Sequence, residues 1–146
     1  MPVFRIATES TFQHVDLAMA LISEFFTTEC CITDKNRLFI ICFALRELLN
    51  NAVEHGNRME RKKKVKCFIS FDCGSIEARI ADEGEGFCIR EPEEAQCSKE
   101  LDGLRHRGLY LIMKLGFDIK VNCSEVTVKA DISKLGYGRD FYEGVN

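Results

Sequence analysis

At 146 residues, with 46% hydrophobic and 29% charged side chains, the chain is the size of one domain with a real core and little else. Its formal charge of -3 excludes the global basic field of a dedicated nucleic-acid binder, and no stretch approaches the ~20 apolar residues of a membrane span or resembles a signal peptide. The eight cysteines show no Cys-x-x-Cys and no Cys/His ligand spacing, and Cys42 lies inside the apolar run Leu38 to Leu45. They read as reduced thiols of a cytosolic protein rather than as a disulfide framework or a zinc site.

Phe4 and Ile6 alternate with Val3, Arg5 and Ala7 as in a short strand, and Thr8 to Thr11 supplies helix-starting chemistry. A helix from about Thr11 to Thr28 follows, with Val15, Met19, Ile22 and Phe26 at helical spacing. Thr33 or Asp34 caps a second, longer helix running to about His55, with Gly56-Asn57 as its stop. Arg58 to Lys66 then holds six basic residues, either a solvated loop or a contact surface for an acidic partner. Val65 to Asp72 and Ser75 to Asp82 read as strands joined by a tight hairpin at Cys73-Gly74.

From Cys88 to Arg105 the pattern lapses into polar residues, as in a long mobile loop. Gly108 to Leu115 is apolar and helix-compatible and ends at Gly116, after which Phe117 to Val121 and Glu125 to Ile132 look like a final antiparallel pair. These elements predict an α/β (α+β) two-layer sandwich over residues 1–134, with a mixed, mostly antiparallel sheet and helices on one face. Residues 135–146 form a C-terminal tail with Tyr137, Phe141 and Tyr142 among glycines and charges.

Two polar clusters stand out against this frame. With Glu47 set at zero on a helical wheel, Asn51, Glu54 and His55 fall within about 80° of it, while Leu38, Ile41, Leu45, Leu48, Leu49 and Ala52 fall between about 100° and 200°. The polar set therefore shares a face away from the core, either as the wet side of an amphipathic helix or as a site. Asparagine is an indifferent helix former, so Asn50-Asn51 in a helix interior points to a use for the amide. A carboxylate one turn from an amide oxygen suits magnesium-nucleotide chemistry: the amide completes the oxygen shell, and the acid orients or deprotonates a nucleophile. His55 reads as a helix-end residue rather than a metal ligand.

The second cluster ends an apolar strand. Asp82 can accept a hydrogen bond from an exocyclic amine such as that of adenine. Gly84 and Gly86 permit close backbone approach, and Phe87 offers an apolar anchor. Arg105, His106, Arg107 and Gly108 precede an apolar helix, where backbone N–H groups and two guanidinium groups can converge on phosphates. The amide at Asn51 and the acid at Asp82 are expected to line opposite ends of one cavity.

Glu47-x-x-x-Asn51-Ala52-x-x-His55-Gly56 resembles the N box of the GHKL ATPase superfamily. Asp82-x-Gly84-x-Gly86-Phe87 resembles its G1 box, and Arg107-Gly108-Leu109-Tyr110-Leu111-Ile112 its G2 region, with His106 where the family usually has glycine. The size and element order, from Val3 to Lys134, are similar to the stand-alone anti-sigma-factor serine kinases. The resemblance implies ATP and Mg²⁺ as ligands, Asn51 as the magnesium ligand, Glu47 as base for a substrate serine hydroxyl, and Asp82 on adenine. It implies that Gly84 and Gly86 shape the pocket floor, that Cys88 to Arg105 is an ATP lid, and that His55, Phe87, Arg105, Arg107, Gly108 and Leu109 complete the nucleotide set. The implied partners are an anti-sigma-factor antagonist of STAS type and a sigma factor, with neither direct nucleic-acid nor membrane contact and with self-association open. The alternatives are a catalytically weak nucleotide-binding module that sequesters a protein partner, and a plain interaction domain that binds no nucleotide.

Overall fold

The computed structural model describes residues 1–86 and 101–136, with residues 101–106 described by their backbone. Strand β1 (Val3–Glu9) leads into helix α1 (Phe12–Glu24), and helix α2 (Lys35–Asn51) leads into the hairpin β2 (Lys64–Asp72) and β3 (Ser75–Ala81). Helix α3 (Leu101–Lys114), β4 (Asp118–Asn122) and β5 (Glu125–Asp131) complete the chain order. The strands form one five-stranded sheet in the order β1-β2-β3-β5-β4, and every pairing is antiparallel. The expected α+β sandwich is present, with a sheet that is antiparallel throughout the described residues.

Local chemistry explains most element ends. Thr11 caps α1 by accepting from the His14 N–H at 3.1 Å, and Asp34, not Thr33, caps α2 by accepting from the Asn36 and Arg37 N–H groups. Both helices loosen at their C-terminal ends into a π turn, Phe25–Glu29 after α1 and Ala52–Gly56 after α2. At the Cys73-Gly74 hairpin both residues have positive φ, as a two-residue turn between twisted strands demands. Strand β1 runs two residues past the expected Ala7, because Thr8 and Glu9 continue the ladder opposite Val65 and Lys64.

Alternation on the strands separates the two faces of the sheet. Val65, Cys67 and Ile69 on β2, Ile76, Ala78 and Ile80 on β3, and Val126, Val128 and Ala130 on β5 all point to the helices. They meet Val15, Met19 and Ile22 of α1, Ile41, Leu45 and Leu48 of α2, and Leu109 and Ile112 of α3 in one core. Burial pushes the Cys67 thiol up to about 12, so this side chain behaves as a small hydrophobe. Helix α3 starts at Leu101, seven residues before the expected Gly108 and inside the segment read as loop. Gly103 and Gly108, poor helix formers, hide its periodicity from the sequence. The first tail residues pack on the domain: Leu135 is 7% exposed, and the Gly136 N–H donates to the Leu115 carbonyl at 3.1 Å. Residues 137–146 and residues 87–100, which hold most of the lid expected over Cys88 to Arg105, lie outside the described residues. No described helix is long and apolar enough to cross a membrane.

Candidate functional site

The end of α2, the start of β2 and the loop after β3 meet at a residue that the sequence reading treated only as a helix stop. Asn57 is 0% exposed. Its Nδ2 donates to Ser10 Oγ at 2.8 Å and to the Lys64 carbonyl at 3.0 Å, and its Oδ1 accepts from the Glu83 N–H at 2.7 Å. Ser10, also fully buried, donates onward to the Lys63 carbonyl at 2.5 Å. This network fixes the N-box helix end against the loop that carries the G1 glycines. The available signal was Asn after Gly at a helix stop; its three partners, up to 47 residues away, were invisible to local patterning.

Asp82 follows β3 and is 8% exposed, with its N–H donating to the Ser124 carbonyl at 2.9 Å and its Oδ1 accepting from the Gly84 N–H at 2.8 Å. It lies directly against the helix end: a Cβ on Gly56 would stand 2.1 Å from Asp82 Oδ2. A Cβ on Gly84 would stand 2.1 Å from the Gly56 carbonyl oxygen, so two backbones touch there and neither glycine tolerates a side chain. Gly86, at φ 83°, packs on the backbone of Cys123 in the β4–β5 turn. Asn51 lies five residues before Gly56 on the same helix, about 7 Å along its axis. The structure thus brings the amide and the acid to one end of α2.

Asn51 is 7% exposed and its Nδ2 has no hydrogen-bond partner among the described residues. The wet-side reading of this face therefore fails at Asn51, which is covered. That orphan is a donor, so it is costly unless a ligand acceptor such as a phosphate oxygen satisfies it. One turn earlier, Glu47 is half-buried; burial raises its carboxyl above the ordinary value, the like charge of Glu54 raises it further, and His55 opposes both. Gly108 sits opposite, where a Cβ would stand 2.3 Å from Glu47 Oε1. The G2 glycine therefore makes room for the N-box acid, a contact between α2 and α3 that spacing alone could not reveal.

This placement corrects the helix-start reading of the G2 segment. Gly108 lies in the interior of α3, so its N–H is not one of the free amides of a helix start. Leu109 is 1% exposed and packs in the core, and Arg107 is exposed. His55 sits in the π turn with Nε2 3.9 Å from Glu54 Oε2. Phe87 and the side chain of Arg105 lie outside the described residues. A Gly108→Ala change separates packing from positioning. Helix propensity gains about 1 kcal/mol, which offsets crowding of the flexible Glu47 side chain. The melting temperature should hold within a few degrees on thermal denaturation while any activity that needs the Glu47 carboxylate falls.

The donor set fits a magnesium nucleotide. Among the described residues no three His, Cys, Asp or Glu side chains gather as a self-sufficient metal cage. Asn51 offers one oxygen ligand beside the Glu47 carboxyl, as expected when waters and phosphates complete the shell. Gly56 and Gly84 let the helix end and the loop after β3 close on the Asp82 carboxylate.

The sequence model of the histidine kinase-like ATPase domain matches residues 8–130. Among solved structures, the chain is similar to the histidine kinase domain from Erythrobacter litoralis EL346 blue-light activated histidine kinase, at 14% identity and a TM-score of 0.49. That match covers 82% of this chain and 62% of the other, so this chain spans less than two thirds of that relative. It is also similar to the Acinetobacter baumannii histidine kinase AdeS, at 16% identity and a TM-score of 0.46, over 90% of this chain and 69% of the other. No curated protein sequence matches the chain. With its family model spanning well over half of its length, the chain belongs to the histidine kinase-like ATPase family and is an ATP-binding module.

Proposed function

We propose that this module is a protein serine kinase that phosphorylates an anti-sigma-factor antagonist of STAS type with ATP and, in its other partnership, sequesters a sigma factor. The observation that carries the reading is the pairing of a half-buried carboxyl, raised above its ordinary value, with a buried orphan amide one turn along α2. A carboxylate tuned toward neutral pH is suited to take the proton of a serine hydroxyl. Asn51 would hold Mg²⁺ through its amide oxygen while its unpartnered Nδ2 donates to a phosphate oxygen, and the ion would neutralise charge on the phosphates. Asp82 would receive the adenine amine, with Gly84 and Gly86 letting the loop that carries it pack on the Gly56 carbonyl and the Cys123 backbone. Gly108 leaves Glu47 free to face the substrate.

The test is incubation with Mg-ATP and a purified antagonist protein, followed by mass spectrometry for phosphoserine. Phosphoserine that disappears on chelating Mg²⁺ supports the kinase reading, and an unmodified antagonist despite tight ATP binding defeats it. One observation favours the alternative of a catalytically weak module acting by sequestration: α3 already begins at Leu101, so the amides at 105–108 are engaged in the helix rather than free for phosphates. Calorimetric titration of Mg-ATP followed by the transfer assay separates the two readings.

A further inference from the structure

The face of the sheet turned away from the helices carries a built concavity. Arg5, Phe68 and Arg79 stand side by side on β1, β2 and β3, in register. The Arg5 and Arg79 guanidinium carbons lie 5.0 and 4.6 Å from the centroid of the Phe68 ring. The next row is Ala7, Lys66 and Ala81, whose two small side chains leave a hollow beside the ring, about 560 Å³ in volume. Glu125 forms one wall. Arg5 has no ion pair among the described residues, and Arg79 has one loose contact, to Glu77 at 3.9 Å. The row beyond is Glu9 and Lys64, next to the basic run 58–66, in which Arg61 pairs with Glu9 at 3.2 Å and Lys63 with Glu60 at 3.5 Å, in a chain whose total charge is -3.

We propose that this face is the docking site for an extended acidic segment of a partner protein, whose carboxylates engage the Arg5 and Arg79 forks on either side of Phe68 and the Lys66 ammonium between the alanines. The ring holds both guanidiniums in place, so less side-chain freedom is lost when a carboxylate binds them bidentately. A nucleic acid fits less well: the two guanidiniums lie over the ring that a base would stack on. A second copy fits less well too, since a two-fold contact would bring Arg5, Lys66 and Arg79 against themselves. The site lies on the face opposite Glu47 and Asn51 and stands whether or not ATP is hydrolysed or transferred.

The test uses the full chain and a short fluorescent oligo-glutamate peptide, read by anisotropy at low and physiological salt. An oligothymidylate of equal charge is titrated in parallel, and light scattering reports the oligomeric state. The expected result is oligo-glutamate binding that weakens with salt and falls at least about tenfold in Arg5→Glu and in Arg79→Glu. Lys35→Glu, on the exposed start of α2, should leave it unchanged, and Mg-ATP binding should be unchanged in all three variants. Arg5→Gln and Arg79→Gln serve as milder variants should a reversal perturb folding, and each should weaken the peptide in the same direction. Absence of peptide binding, tighter binding of oligothymidylate than of the peptide, equal loss in Lys35→Glu, or a dimer that the two Arg variants split into monomers would each overturn the proposal.

Discussion

Glu47→Gln is expected to slow phosphoryl transfer to the protein substrate by roughly 10²- to 10⁴-fold, the usual contribution of a positioned base, while Mg-ATP still binds. The glutamine keeps the shape that fills the space opposite Gly108 but cannot take a proton. Transfer by the parent chain should fall as pH drops through the raised titration of Glu47, and the variant should lose that limb of the profile. Stability should move the other way. A carboxyl raised in the folded state contributes stability that is fully present below its unfolded value of about 4.5 and is lost as pH rises through the folded one. The variant should therefore melt above the parent at neutral pH, and the gap should close as pH falls below about 4.5. Undiminished transfer by the variant would remove Glu47 from the chemistry; a pH-independent melting difference would contradict its burial.

Asp82→Asn is expected to weaken ATP binding by about 10- to 100-fold, equivalent to roughly 1.5–3 kcal/mol for a hydrogen bond to a charged group. The substitution preserves the oxygen that accepts from the Gly84 N–H, so the turn after β3 stays in place. It replaces one carboxylate oxygen with an amide nitrogen that repels an exocyclic amine, in the same shape. Isothermal titration with Mg-ATP, beside a thermal melt showing an intact fold, checks the result. Equal affinity in parent and variant would place adenine elsewhere.

The part of this protein legible from local sequence is the part governed by short-range physics. Thr11 and Asp34 act on amides two or three residues ahead, Cys73-Gly74 closes its own turn, and alternation along β2, β3 and β5 decides which face is apolar. The N-box and G1 spacings are legible through their resemblance to a family pattern, not through local physics. Where local preference opposes the outcome, reading failed: α3 runs through Gly103 and Gly108, and the helical wheel for α2 drifts once the chain enters the π turn at Ala52.

What only the closed chain settles is contact across long separations. The fate of Asn51 as covered rather than wet depended on the packing around α2. The Asn57 node joins Ser10, Lys64 and Glu83 because sheet closure brings three distant backbones within hydrogen-bond reach. Gly108 gains its meaning from Glu47 on another helix, and Gly84 from the Gly56 carbonyl. Periodicity and capping act over a few residues, so they place side chains on faces and at ends. Which faces and ends then meet is decided by the packing of the core as a whole.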